Sequence, residues 1–216
     1  MVVGLLKAIA YLISNTLCFV RFSGRENIPD ASSGGLLIAG NHQTYVDPVW
    51  ISIAVKRRLR YMAYDRAFGW RFIGTLITYL GAFPVAINGA RARRSMRNAL
   101  GALHEGSALI VFPEGAREFA DGEMLPFKTG AVRIALQAGV PILPVTIRGG
   151  NHIWPQKQKY PRLFRRVEVI YHPLLNVAAD ETLELRENLD NWTSRLREII
   201  ATGLNITQTT ATGKER

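Results

Sequence analysis

Short apolar runs alternate along this chain with stretches whose apolar positions recur every three or four residues, the pattern of strands alternating with helices. The runs predict strands at residues 19–22, 36–39, 60–63, 82–85, 108–112, 142–147 and 167–171, and the periodic stretches predict helices at 48–56, 67–80, 93–104, 128–138 and 181–200. Such alternation predicts an α/β fold: a single domain with a central, mostly parallel or mixed sheet of about seven or more strands flanked by helices. The last helix carries Leu185, Leu189, Trp192, Leu196 and Ile199 on one face, which is expected to close over the sheet. From Asn205 the chain is polar and aperiodic, so residues 205–216 read as a disordered tail behind a domain of residues 19–204.

Residues 1–18 read as a separate helix ahead of that domain. As a helix rising about 1.5 Å per residue, the apolar stretch there would barely cross a hydrocarbon layer about 30 Å thick. Gly4, Lys7, Tyr11, Ser14 and Asn15 fall on one face, whereas Val2, Leu5, Leu6, Ile9, Leu12 and Ile13 fall on the other. A spanning helix would bury Lys7 and Asn15 in hydrocarbon, while an interfacial one leaves them at the headgroups. The expectation is therefore an amphipathic helix lying on the membrane; the alternative is a helix packed on the domain's own core. No charged region precedes the apolar stretch, and Cys18-Phe19-Val20-Arg21 offers no small-residue cleavage site, which disfavours a secretory signal. These features predict a peripheral or monotopic chain on the cytoplasmic face of a membrane.

Composition changes the picture in two ways. With 216 residues, 48% of them apolar, the chain can bury a real core, and its single cysteine, Cys18, excludes an intramolecular disulfide and a structural zinc site. The 27 Lys and Arg against 17 Asp and Glu give a net charge of +10 and point to a polyanionic partner: nucleic acid, an anionic lipid surface, or an acidic carrier and its phosphate-bearing substrate. Much of the excess sits in Lys56-Arg57-Arg58-Leu59-Arg60, in Arg91, Arg93, Arg94 and Arg97, and between Lys157 and Arg166. The last group is interleaved with Tyr160, Leu163 and Phe164 and follows Trp154, a mixture suited to lipid headgroups or to single-stranded nucleic acid.

Two constellations carry candidate chemistry. The predicted strand Leu36-Leu37-Ile38-Ala39 runs into Gly40-Asn41-His42-Gln43-Thr44-Tyr45-Val46-Asp47-Pro48, which places His42 where open α/β sheets keep their sites. Asp47-Pro48 reads as an N-cap with Pro in the first turn, so His42 and Asp47 bracket one tight loop. A carboxylate that fixes an imidazole's tautomer leaves the other ring nitrogen free to take a proton from a bound hydroxyl. The plainer alternative makes Asp47 a cap worth about 1 kcal/mol and His42 a polar strand end.

The second constellation is Val111-Phe112-Pro113-Glu114-Gly115-Ala116-Arg117-Glu118. Arg117 can fork onto a phosphate, Gly115 lets a ligand approach the backbone, and Glu114 is expected to orient the arginine or a ligand hydroxyl. Lys128 is expected to add a phosphate contact at the start of the next helix. There is no Gly-x-Ser-x-Gly elbow and no His-Glu-x-x-His motif.

With the Asn-His-x(4)-Asp block, the Phe-Pro-Glu-Gly-x-Arg block and the proline-bounded strand Val140-Pro141 to Ile147 in this order, the chain resembles the glycerolipid acyltransferase family over residues 35–147. That family is typified by 1-acylglycerol-3-phosphate (lysophosphatidic acid) acyltransferase. The resemblance implies that His42 is the general base, Asp47 its partner, and Glu114, Gly115 and Arg117 part of the acceptor site. It implies acyl-CoA or acyl-carrier protein as the donor, a lysophospholipid hydroxyl as the acceptor, and direct transfer without cofactor or metal.

One family block departs from the pattern: the Gly-x(5)-Arg spacing would align at Gly81 to Ile87, which puts Ile87 where Arg is expected. Arg91, Arg93 or Arg94 stand nearby as replacements, and Ala116 and Glu118 replace the usual Thr and Ser. The chemistry is untouched, but a lysolipid other than lysophosphatidate becomes an open acceptor. A basic nucleic-acid-binding module and a noncatalytic lipid-binding protein remain as competing classes, with no nucleic-acid motif to favour the former.

Overall fold

The computed structural model describes residues 2–85, 89–117, 123–155, 158 and 160–205. Among these, seven strands form one sheet: β1 (Val20–Ser23), β2 (Leu36–Gly40), β3 (Leu59–Tyr64), β4 (Ala82–Val85), β5 (Ala108–Val111), β6 (Ile142–Arg148) and β7 (Val167–Tyr171). Their spatial order is β1-β7-β6-β2-β5-β3-β4. Strands β6, β2, β5, β3 and β4 run parallel, β7 lies antiparallel to β6, and β1 runs parallel to β7, so the sheet is mixed. The central strand β2 is buried along its whole length, as a strand covered by helices on both faces must be.

The helices are α1 (Val2–Leu17), α2 (Asp47–Ala54), α3 (Ile73–Tyr79), α4 (Gly89–His104), α5 (Gly130–Ala138), the single turn α6 (Gly150–Ile153) and α7 (Leu185–Asn205). Side-chain alternation divides the core in two. On one face Leu36, Ile38, Ile110, Leu143, Val145 and Ile147 pack with Trp50 and Ile51 of α2. On the other, Leu37, Ala39, Leu109 and Ile142 meet Leu103 of α4, Val132 and Ala135 of α5, and Leu189, Leu196 and Ile200 of α7. The last helix closes over the sheet as expected, although Leu185 at its start is exposed. It runs to Asn205, one residue into the segment read as tail; the rest of that tail lies outside the described residues.

The expected helix over 67–80 is instead two pieces. A 3₁₀ helix, Asp65–Gly69, is followed by a turn at Phe72 with φ 64, and only then by α3. Gly69, Gly74 and four β-branched residues among 73–78 make this a poor continuous helix, and Gly74 packs so tightly that a Cβ there would lie 2.2 Å from the Phe68 carbonyl oxygen. Arg57, read as part of a basic surface, is buried; its Nη2 donates to the carbonyls of Gly34 and Gly106. Its Nε and Nη1 are buried without a partner among the described residues.

Helix α1 packs on α2 through a face opposite to the one an ordinary core helix uses. Lys7, Ala10, Ser14 and Leu17 turn inward, and Leu5, Ile9, Leu12 and Ile13 are exposed. Lys7 Nζ donates to the Val55 carbonyl at 2.7 Å, and Trp50 Nε1 donates to Ser14 Oγ at 3.2 Å. Lys7 therefore faces the domain rather than headgroups: the carbonyl of Val55, at the end of α2, accepts from it, and burial lowers its pKa. The apolar face is not covered by the domain's own core. Among the described residues no helix is long and apolar enough to cross a membrane.

Candidate active site

The loop after β2 is built from buried polar side chains that the sheet cannot satisfy and the loop itself must. Asn41 clamps β6, donating from Nδ2 to the Ile147 carbonyl at 2.9 Å and accepting the Ile147 N–H on Oδ1 at 2.7 Å. Gln43 Oε1 accepts the N–H of Gly150 at 2.8 Å, which ties the loop to α6. Gly40 lets the chain turn between strands: a Cβ there would meet Ile51 and the Val145 carbonyl at 3.3 Å.

Asp47 is the hub of this loop and is completely buried. Its Oδ2 lies 2.9 Å from His42 Nδ1 and accepts the N–H groups of Gln43 at 2.6 Å and Thr44 at 2.7 Å, while Oδ1 accepts the Thr44 hydroxyl at 2.6 Å. Every partner donates to it, so His42 carries its proton on Nδ1 and presents Nε2 as a bare acceptor. Asp47 is not the helix cap expected from Asp47-Pro48. It is the first residue of α2, Val46 stands at the cap, and the carboxylate turns back to amides that precede it rather than to those of the helix. Capping cannot compete with four donors already converging on it.

The His42 ring is 19% exposed and stacks on Phe112 with centroids 4.0 Å apart and planes 18° from parallel. No described residue bonds its Nε2. Glu114 is buried and fixes the backbone: Oε1 accepts the His42 N–H and Oε2 the Leu125 N–H, each at 2.8 Å. Beside the expected role of orienting Arg117 or a ligand hydroxyl, Glu114 thus also ties together the backbones of two loops.

Arg117 lies flat over Tyr45, its guanidinium carbon 3.5 Å from the ring centroid, and its Nη1 is buried without a hydrogen-bond partner among the described residues. Gly115, at φ 69, is the bed of a second cation: a Cβ would lie 2.7 Å from Lys128 Nζ. Lys128 precedes α5 by two residues instead of opening it, because its N–H is held by the Pro113 carbonyl at 2.9 Å. The arrangement offers an acceptor nitrogen for a proton beside two cations for an anion, with no cluster of three His, Cys, Asp or Glu among the described residues placed to hold a metal ion.

The family model described as Acyltransferase matches residues 19–148, well over half of the chain. The chain belongs to the acyltransferase family. A 1-acyl-sn-glycerol-3-phosphate acyltransferase of Borreliella burgdorferi is 30% identical over 186 residues, covering 82% of this chain and 68% of that protein. The chloroplastic 1-acyl-sn-glycerol-3-phosphate acyltransferase BAT2 of Brassica napus is 28% identical over 73% of this chain and 45% of its own length. The chain thus spans about half the length of the first of these curated relatives it matches. Its fold is that of the crystal structure of the 1-acyl-sn-glycerophosphate (LPA) acyltransferase PlsC from Thermotoga maritima, at a TM-score of 0.70 and 28% identity, covering 88% of this chain and 72% of that one.

Within this acyltransferase domain the structure gathers His42, Asp47, Glu114, Gly115, Arg117 and Lys128 at the carboxyl ends of β2 and β5. Arg91 lies in the first turns of α4, with its side chain outside the described set; Arg93 and Arg94 point to solvent, and Ile87 and Glu118 lie outside the described residues. The sequence reading missed Asn41, Gln43, Thr44, Tyr45 and Phe112. The signal for the first three was a run of polar residues directly abutting a fully apolar strand, where each needs a partner.

Proposed function

We propose that this chain moves a fatty acyl group from an acyl thioester, carried on CoA or on acyl-carrier protein, to the hydroxyl of a lysophospholipid, with 1-acylglycerol-3-phosphate as the acceptor and phosphatidic acid as the product. The observation that carries the proposal is His42, anchored through Nδ1 to a buried carboxylate and open at Nε2. Nε2 takes the proton of the acceptor hydroxyl as its oxygen attacks the thioester carbonyl. The carbon–sulfur bond breaks, and the imidazolium returns the proton to the departing thiolate. Asp47 stabilises the imidazolium in between, Phe112 holds the ring plane, and no acyl-enzyme forms.

The orphaned Nη1 of Arg117, with Lys128 beside Gly115, supports a phosphate-bearing acceptor. The curated relatives named for 1-acyl-sn-glycerol-3-phosphate support the same acceptor. The outward apolar face of α1 supports work at a membrane surface. Thiol release from acyl-CoA across a panel of lysolipids tests the reading. Release with lysophosphatidate by the parent and not by His42→Ala is expected. Equal release by both would remove His42 as base, and no release with any acceptor would favour a noncatalytic lipid-binding protein.

A further inference from the structure

Residues 64–79, between β3 and β4, turn Tyr64, Trp70, Phe72, Ile73, Leu76 and Tyr79 outward. Phe72 is the extreme case at 81% exposed, and its backbone is held against its preference. At φ 64 and ψ −47 it is the centre of a three-residue turn in which the Ile73 N–H donates to the Arg71 carbonyl at 2.8 Å. Turns of this hand are rare and strained for any residue with a Cβ, and strain that survives in a fold marks a place where the displayed side chain is used.

The segment is joined to the site. Trp70 packs edge-on against Tyr45 at 6.1 Å, and Tyr45 in turn meets Trp154 at 5.7 Å and carries Arg117 on its face. Helix α1 packs on α2, which leaves the same loop, so both outward apolar surfaces are carried by elements joined to the loop that bears His42, that of residues 64–79 through the contact of Trp70 with Tyr45. Exposed Arg66 and Arg71 flank Trp70 against one acid, Asp65, and the Arg71 guanidinium reaches over the Phe72 ring at 5.7 Å. Tryptophan and tyrosine beside arginines form the side-chain mixture of a headgroup region. A second copy of this chain would meet the surface with its own arginines and a net charge of +10, whereas an anionic bilayer complements both.

We propose that residues 64–79 are a second membrane foot, seated in the headgroup region of an anionic bilayer beside the His42 loop, so that this loop lies close to lipid. The proposal rests on the reading of a lipid acceptor, and it is tested by binding, separately from turnover. The intact chain is sedimented with vesicles of phosphatidylcholine and phosphatidylglycerol and compared with Phe72→Gly/Leu76→Ser and with Phe72→Trp. The double variant is expected to partition at least about tenfold more weakly, since each change removes an exposed apolar side chain that the bilayer would bury. Phe72→Trp is expected to bind as the parent does. Glycine suits the positive φ at 72, so the thermal midpoint of Phe72→Gly alone should hold or rise, which excludes misfolding as the cause. Thiol release with a short-chain, water-soluble lysolipid should be unchanged in the double variant and reduced with a long-chain acceptor held in vesicles. Unchanged vesicle partition would overturn the foot, as would a concentration-dependent dimer abolished by the same substitutions without loss of vesicle binding. If the parent releases no thiol with any acceptor, the proposed reaction fails while partition still decides the foot.

Discussion

The site formed by the loops after β2 and β5 and the seam where β6 and β7 meet α7 each hold one histidine and one arginine, and they treat them oppositely. In the seam, the Thr146 hydroxyl donates to the Ile200 carbonyl at 2.6 Å and so receives the Nε2–H of His172 at 2.7 Å; Arg148 is paired with Glu168. At the site, the His42 ring is bonded through Nδ1 alone, and Arg117 of the loop after β5 keeps a buried Nη1 without a described partner. Both regions are buried and polar, so burial does not separate a functional histidine from a structural one. What separates these two pairs is hydrogen-bonding capacity left over beside a cation-lined loop, where a ligand would use it; buried atoms of Arg57, Ser107 and Thr193 are also left without a described partner, so leftover capacity tells only together with its place in the fold.

Removing the residues with leftover capacity should therefore cost activity and little stability. His42→Ala is expected to lower kcat by about 10²–10⁴-fold with the thermal midpoint nearly unchanged. Asp47→Asn is expected to match it in kcat while also losing about 1–3 kcal/mol of stability, because an amide offers hydrogens to donors that need an acceptor. Equal activity of Asp47→Asn and the parent would mean that the loop is merely well packed. Next in size, Arg117→Ala should raise KM for a phosphate-bearing acceptor by about 10²-fold, the worth of a charge-assisted bond at a buried site, with kcat less affected. A KM unchanged for that acceptor would remove the anion from the comparison.

The seam predicts the reverse. A Cβ on Gly203 would lie 2.4 Å from Thr146 Oγ1 and 2.6 Å from Thr146 Cβ, where α7 comes closest to β6. Gly203→Ala should destabilise the fold by about 1–3 kcal/mol, read by denaturant unfolding, with kcat per folded molecule intact. A loss of kcat beyond the loss of folded protein would show that the seam reports to the site, and the contrast between the two regions would be one of degree.

Much of this was legible in the chain. The apolar runs marked the strands most clearly at β2, β5 and β6, which are buried on both faces and carry almost no polar side chains before Thr146, and His42 and Asp47 stood out because a loop at the end of such a strand has no other reason to hold them. What stayed hidden was every contact between residues distant in sequence. Glu114 meets the His42 amide across 72 positions, and Tyr45 meets Arg117 only because β2 and β5 are neighbours. Asp47 was misread as a cap because sequence shows that Asp precedes Pro but not which amides are closest to its carboxylate. The helix at 67–80 was misread because a repeat of apolar residues looks the same whether the repeat is buried or, as at Phe72 and Leu76, displayed. In α1 the periodicity and the outward apolar face were legible, whereas the bond of Lys7 to Val55, 48 positions away, was not.

The smallest expected effect concerns the seam histidine. Burial holds the His172 pKa below its usual value near 6.5, while the unfolded chain keeps that usual value. As pH falls below about 6.5 the unfolded chain binds a proton that the folded one refuses, so stability declines through the window between the usual and the depressed value and then levels off. Above that window His172 contributes no slope. One proton sets a ceiling of about 1.4 kcal/mol per pH unit. His172→Gln retains a donor for Thr146 but cannot titrate, so its unfolding free energy, measured from pH 7 down to pH 5, should fall less steeply than the parent's while kcat at neutral pH stays the same. Parallel slopes would place the acid sensitivity elsewhere, and a kcat lowered as far as by His42→Ala would erase the distinction between the two histidines, because a side chain closed off by Thr146 and Ile200 has no route to a substrate.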